Sequence, residues 1–191
     1  ITSGNNYISS SFNRSTSSLS NDQPANSFSN LSNFNTSLIG LGANLEKFDY
    51  RINPTKGYLV NIAINGGTKT TLPANEGDPV TSLSQYRADL IAEYYISISK
   101  GLVLKAANQS GMLISDQIFE NEMYRFGGIK TLRGFDEESL FASSYSIFTG
   151  ELRYLLDQNS FLYLFLDRAF YEKLSESESN IVDDPFGFGA G

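Results

Sequence analysis

The side chains in this sequence best placed to do chemistry together are one arginine and two acids, Arg133, Glu151 and Asp167. Arg133 lies in a glycine-punctuated run, Phe126-Gly127-Gly128-Ile129-Lys130-Thr131-Leu132-Arg133-Gly134-Phe135. The acids follow in Glu151-Leu152-Arg153-Tyr154 and Phe165-Leu166-Asp167. With a turn centred on Gln158, antiparallel pairing sets Glu151 opposite Phe165 and Arg153 opposite Tyr163. Asp167 then lies diagonally from Glu151. Diagonal neighbours in a sheet are about 7–8 Å apart at the backbone, within reach of one guanidinium between them. A planar, permanently charged fork suits two carboxylates better than an ammonium does. The chemistry expected here is therefore ion pairing. Two acids also invite a reading as a glycosidase or protease dyad, but an adjacent arginine opposes the raised pKa a general acid needs. No nucleophile–base set accompanies them. The other arrangement open at this point leaves Arg133 as a solvent-exposed loop charge and pairs Glu151 with Arg153 alone.

Composition narrows the function classes further. The 191 residues include no Cys, no His and no Trp. Disulfide frameworks, Cys/His zinc sites, histidine bases and cysteine nucleophiles are thereby removed, and neither a metal nor a cofactor is expected. With 14 Lys or Arg against 21 Asp or Glu, the net charge is -7, which argues against a nucleic-acid partner. The 14 Phe and 11 Tyr are more than a disordered chain carries. No run approaches the 18 or so apolar residues of a transmembrane helix, and the start, Ile1-Thr2-Ser3-Gly4, shows no signal peptide. A membrane β-strand, by contrast, needs only about 9–11 alternating residues.

The elements that must position the three charged residues read as strands. From Ser37 onward the apolar period is two. Tyr86, Ala88, Leu90, Ala92, Tyr94, Ile96 and Ile98 share one face, opposite Arg87, Asp89, Glu93, Ser97 and Ser99. Tyr58, Val60, Ile62 and Ile64 alternate with Asn61, Ala63 and Asn65, and Leu162, Leu164 and Leu166 oppose Phe161, Tyr163, Phe165 and Asp167. Strands are expected near 6–14, 37–51, 57–66, 86–98, 101–114, 142–156 and 160–171, with an eighth beginning at Phe186, and very little helix. The first 37 residues hold 12 Ser and 8 Asn, so 1–36 reads as a short strand and a polar loop, or equally as a disordered leader.

Long and short connections alternate between these strands. Outer-membrane barrels sort their loops in this way, with short periplasmic turns and long extracellular loops, whereas Greek-key sandwiches have no reason to. The fold class expected is all-β: an antiparallel up-and-down transmembrane β-barrel, partial, with about 7–8 strands. Its longest connection, at about 116–140, carries Arg133. The dozen residues on either arm can reach roughly 40 Å at about 3.3 Å each, enough to fold inward down a barrel whose apolar band is about 25 Å tall.

At these residues the sequence resembles the superfamily of outer-membrane assembly and translocation barrels that includes BamA, TamA and the two-partner secretion translocators. Leu132-Arg133-Gly134-Phe135, preceded by Gly127-Gly128, resembles the arginine-glycine-aromatic motif of that family's inward-folded loop. Glu151-Leu152-Arg153-Tyr154 is similar to its acid-bearing strand, and Phe165-Leu166-Asp167 to the aromatic–x–Asp element of the next. Asp49 through Gly57, with Asn53-Pro54, resembles a short turn before a middle strand, and Phe186-Gly187-Phe188-Gly189-Ala190-Gly191 the start of a glycine-rich strand.

The resemblance implies a 16-stranded barrel in the outer membrane of a Gram-negative bacterium, its lumen loop braced by Arg133, Glu151 and Asp167 with Arg153 beside them. It implies no enzyme activity. The expected function is the barrel portion of an assembly factor that inserts β-barrel proteins, working with outer-membrane lipid, client barrels and accessory assembly lipoproteins. Two alternatives stand beside it, a two-partner secretion translocator pore and a soluble or surface β-sandwich binding protein. The family's polypeptide-transport-associated (POTRA) domains are not seen in this sequence. The whole of 1–191 is thus expected to form part of one barrel domain, with 1–36 the Ser/Asn-rich strand and loop and 37–191 the strands and arginine loop.

Overall fold

The computed structural model describes residues 3–17, 33–72, 80–157, 159–174 and 180–191. Alternating apolar and polar side chains generate strands β1 (Ser3–Gly4), β2 (Tyr7–Ser17), β3 (Phe34–Phe48), β4 (Gly57–Thr71), β5 (Thr81–Ser99) and β6 (Leu102–Ser115). A loop follows that holds a 3-10 turn, Glu120–Glu122, and the short strands β7 (Tyr124–Phe126) and β8 (Leu140–Ala142). Strands β9 (Ser144–Leu155), β10 (Phe161–Lys173), β11 (Ile181–Asp183) and β12 (Phe186–Ala190) complete the chain order. All but β7 and β8 join one antiparallel 10-stranded sheet. Along it β1 and β2 both flank β3, then come β4, β5, β6, β9 and β10, and β11 and β12 both flank β10. This is the expected up-and-down all-β wall, open at both edges among the described residues, as a partial barrel is. One continuous layer rules out a two-sheet sandwich.

The register follows the parity of the sequence. Glu151 pairs with Phe165, Arg153 with Tyr163 and Asp167 with Thr149, as the turn at 156–160 requires. One face of the wall is apolar and open: Ile39, Leu41, Ile64, Tyr86, Tyr94, Leu152, Leu164 and Leu166 all stand exposed. A polar island interrupts it at Asn108, Ser110 and Ser146, which hydrogen-bond to one another at 2.8–2.9 Å. The other face carries the loop. There Phe126 and Leu132 of the loop bury with Ala142, Ile147 and Ala169, and Phe135, Leu140, Tyr145 and Tyr171 close around them. A second cluster, Phe48, Tyr95 and Val103, lies on the same face near the short turns.

Several boundaries differ from expectation. β3 runs Phe34–Phe48 in place of 37–51, β4 continues past 66 to Thr71 and β5 begins at Thr81 in place of 86, so the connection between β4 and β5 shortens to 72–80. The reason is cross-strand pairing: residues 67–71, past the expected end of the strand, continue the ladder with Gly66 against Thr81 through Tyr86. Strand β2 extends to Ser17, while most of the polar loop expected after it lies outside the described residues.

Candidate functional site

The loop between β6 and β9 is the only long connection that packs on the inner face among the described residues, and local chemistry shapes its tip. Gly127, Gly128 and Gly134 adopt φ of 118°, 90° and 94°, a region closed to most side chains. Between the first two and the arginine, Leu132 carbonyl accepts from the Gly128 N–H at 3.1 Å, and the Thr131 hydroxyl donates to the Gly127 carbonyl at 2.8 Å while accepting from the Gly127 N–H. This tight turn buries Leu132 completely and points Arg133 at the wall.

Arg133 then makes the fork expected of it. Its Nε and Nη2 donate to the two oxygens of Asp167, each at 2.7 Å, and Nη1 donates to Glu151 Oε1 at 2.7 Å. The backbone N–H of Arg133 also reaches Asp167 Oδ2 at 3.2 Å. Asp167 is wholly buried, and both of its carboxylate oxygens accept hydrogen bonds from the same residue. The guanidinium lies 3.8 Å from the centre of the Phe165 ring, a stacked contact that an ammonium would not reproduce. Arg153 shares Glu151, at 2.7 Å from its Nε to Oε2, and stacks 4.7 Å from the Phe161 ring. The alternative of a solvent-exposed Arg133 with Glu151 paired to Arg153 alone is not what forms: Glu151 bridges the loop arginine and its own strand's arginine. Further along the face, Lys105 pairs with Glu93 at 3.3 Å and Tyr95 donates to Glu93 at 2.7 Å.

Every site residue expected from the sequence is in this assembly or frames it. Gly127, Gly128, Leu132, Arg133, Gly134 and Phe135 form the tip, and Glu151, Arg153 and Asp167 form its seat. One partner was not foreseen. Gly187 of β12 faces the Arg133 carbonyl so closely that a Cβ there would stand 1.8 Å from that oxygen. The glycine-rich pattern of Phe186 to Gly191 was the available signal. The arrangement holds charge in fixed positions and offers no polarised nucleophile, so what it can do is fasten the loop.

A model of the Omp85 superfamily domain matches residues 2–191. No curated protein matches the chain. Omp85 superfamily proteins are outer-membrane proteins of Gram-negative bacteria that insert or translocate polypeptides without enzymatic chemistry. The match spans the wall, the loop and the arginine–acid set alike, and the chain therefore belongs to the Omp85 superfamily.

Proposed function

We propose that this chain is the barrel portion of an outer-membrane assembly factor that inserts β-barrel proteins into the outer membrane. In this reading the exposed apolar face of the wall meets lipid, and the long connections face the cell exterior. Residues 1–191 belong to one barrel domain, with β2 of the Ser/Asn-rich start at one edge of the wall. Client barrels pass by strand pairing, and accessory lipoproteins assist. The reading is carried by one observation: the loop tip is clasped to two adjacent strands through Arg133, with both carboxylates at 2.7 Å. A loop fastened in this way gives the wall a fixed inner support while the chemistry of insertion is left to backbone edges, which need no reactive side chain.

The test replaces Arg133 by Ala in the full-length protein within outer-membrane vesicles. Glu151 keeps Arg153, so the uncompensated charge falls mainly on Asp167. The expected result is a protease-sensitive loop, a weakened heat-modifiable gel band and slower insertion of several unrelated client barrels. Unchanged loop protection together with an unshifted band would overturn the bracing role. Loss of a single exported protein, with client barrels unaffected, would move the assignment to the secretion translocator.

A further inference from the structure

The loop has a second fastening, at the end away from Arg133. Glu122, in the 3-10 turn of the loop stem, is buried, and its carboxylate gathers donors from two strands and from its own turn. Lys69 of β4, wholly buried, donates from Nζ at 2.6 Å to Oε1. Gln85 of β5 donates from Nε2 at 2.8 Å to Oε2, and the Phe119 N–H donates at 2.7 Å to Oε1. Arg87 of β5 reaches the Glu122 carbonyl at 2.9 Å. The Lys69 ammonium also donates to the Gln117 carbonyl and lies 4.9 Å from the Phe119 ring. Two loop carbonyls and a carboxylate thus converge on cations of the wall, and the cations come from β4 and β5, on the other side of β6 from the Arg133 seat.

We propose that Glu122 is a positioning residue that clamps the loop stem to β4 and β5 through Lys69, independently of the Arg133 brace. It rests on the reading of this connection as a lumen loop and goes beyond the arginine–acid set. A loop held only at its tip and along β7 would leave residues 116–123 more freedom to swing. The Glu122 clamp removes that freedom and holds the stem across the upper end of the wall. A loose surface ion pair would hold nothing so firmly; this one is buried on both sides and both of its carboxylate oxygens are hydrogen-bonded, so losing either partner strands a buried charge.

Limited trypsin digestion of the full-length protein in membrane vesicles reads the two fastenings separately, because Arg125 lies in the stem and Lys130 in the tip. Glu122→Ala and Lys69→Met should each raise cleavage after Arg125 about tenfold or more while leaving cleavage after Lys130 unchanged. The double variant Lys69→Met with Glu122→Gln should cleave no faster than either single variant, since one contact is lost in all three. If Glu122→Ala gives no heat-modifiable band, Glu122→Gln carries the test. Gln85 can turn its amide so that its buried, unpartnered Oε1 accepts from the substituted side chain, and a smaller rise at Arg125 is then expected. Unchanged Arg125 cleavage in folded variants would overturn the clamp. Simultaneous release of Arg125 and Lys130 would overturn its independence. Exposure of Lys130 in Arg133→Ala alone reports on the brace and leaves the clamp to stand or fall by Arg125.

Discussion

Adding one methyl group at Gly187 should unseat the loop tip. A Cβ at this position would stand 1.8 Å from the Arg133 carbonyl oxygen, where contacts under 3.0 Å essentially never occur. The two backbones must separate by about 1.2 Å (3.0 less 1.8), and neither atom is the free end of a flexible side chain. If Arg133 retreats by that amount along its bonds, its 2.7 Å contacts to Asp167 and Glu151 lengthen to about 3.9 Å, outside hydrogen-bonding range. Overpacking alone costs about 1–3 kcal/mol, and full loss of a buried pair costs about 3–5 kcal/mol. Partial loss places Gly187→Ala near 2–3 kcal/mol, a rise of about 30- to 150-fold in the undocked loop population. Trypsin cleavage after Lys130 in folded, vesicle-inserted protein measures that population. Gly150→Ala is the matched control, because a Cβ there meets nothing nearer than the Leu166 carbonyl at 4.0 Å. Wild-type cleavage in Gly187→Ala would refute the argument, since it would mean that the tip does not rest on β12 at this glycine.

Two further expectations concern the turn end and the outer face. Burial raises the Asp49 carboxyl, but hydrogen bonds from the Thr55 hydroxyl and from the N–H groups of Lys56, Thr55 and Tyr50 outweigh it and hold the pKa below the usual 3.8. Its contribution is therefore complete above about pH 4 and is lost as the pH falls through the lowered folded value; exposure limits it to less than about 1 kcal/mol. Asp49→Asn should flatten the acid side of a stability-versus-pH curve measured by urea unfolding in vesicles, and an identical acid limb would count against it. On the outer face, Asn108→Ala should cost about 1–3 kcal/mol by leaving Ser110 and Ser146 short of partners. Replacing all three by apolar residues should recover most of that loss in the same assay, and an unrecovered midpoint would show that the island has another role.

The strands were legible because each keeps a period of two over many residues and each short turn fixes its partner. The arginine–acid set was legible for the same reason: parity and one turn position place Glu151, Arg153 and Asp167 on one face, and the longest expected connection carries the arginine. Lys69 and Glu122 were not. Gly66-Gly67 reads as the end of β4, which strands Lys69 in a presumed loop, whereas the ladder carries it inward on the same face as Asn61 and Asn65. Glu122 sits among Asp116, Glu120 and Asn121, a run that looks like solvated surface, and its partners lie 53 and 37 residues away in the chain. No local pattern encodes a pairing of that range; the path of the loop does. The β7–β8 ladder and the Gly187 contact were hidden in the same way, since both arise only once the loop has folded inward.

The loop stands on β4 and β5 at its stem and on β9 and β10 at its tip, with β6 lying between the two pairs of strands. Any spreading of the wall across β6 changes the span the loop has to bridge. The width of the wall and the docking of the loop are therefore linked equilibria, and linkage is reciprocal. Whatever widens the wall loosens the loop, and whatever holds the loop narrows and stiffens the wall, by the same free energy in each direction.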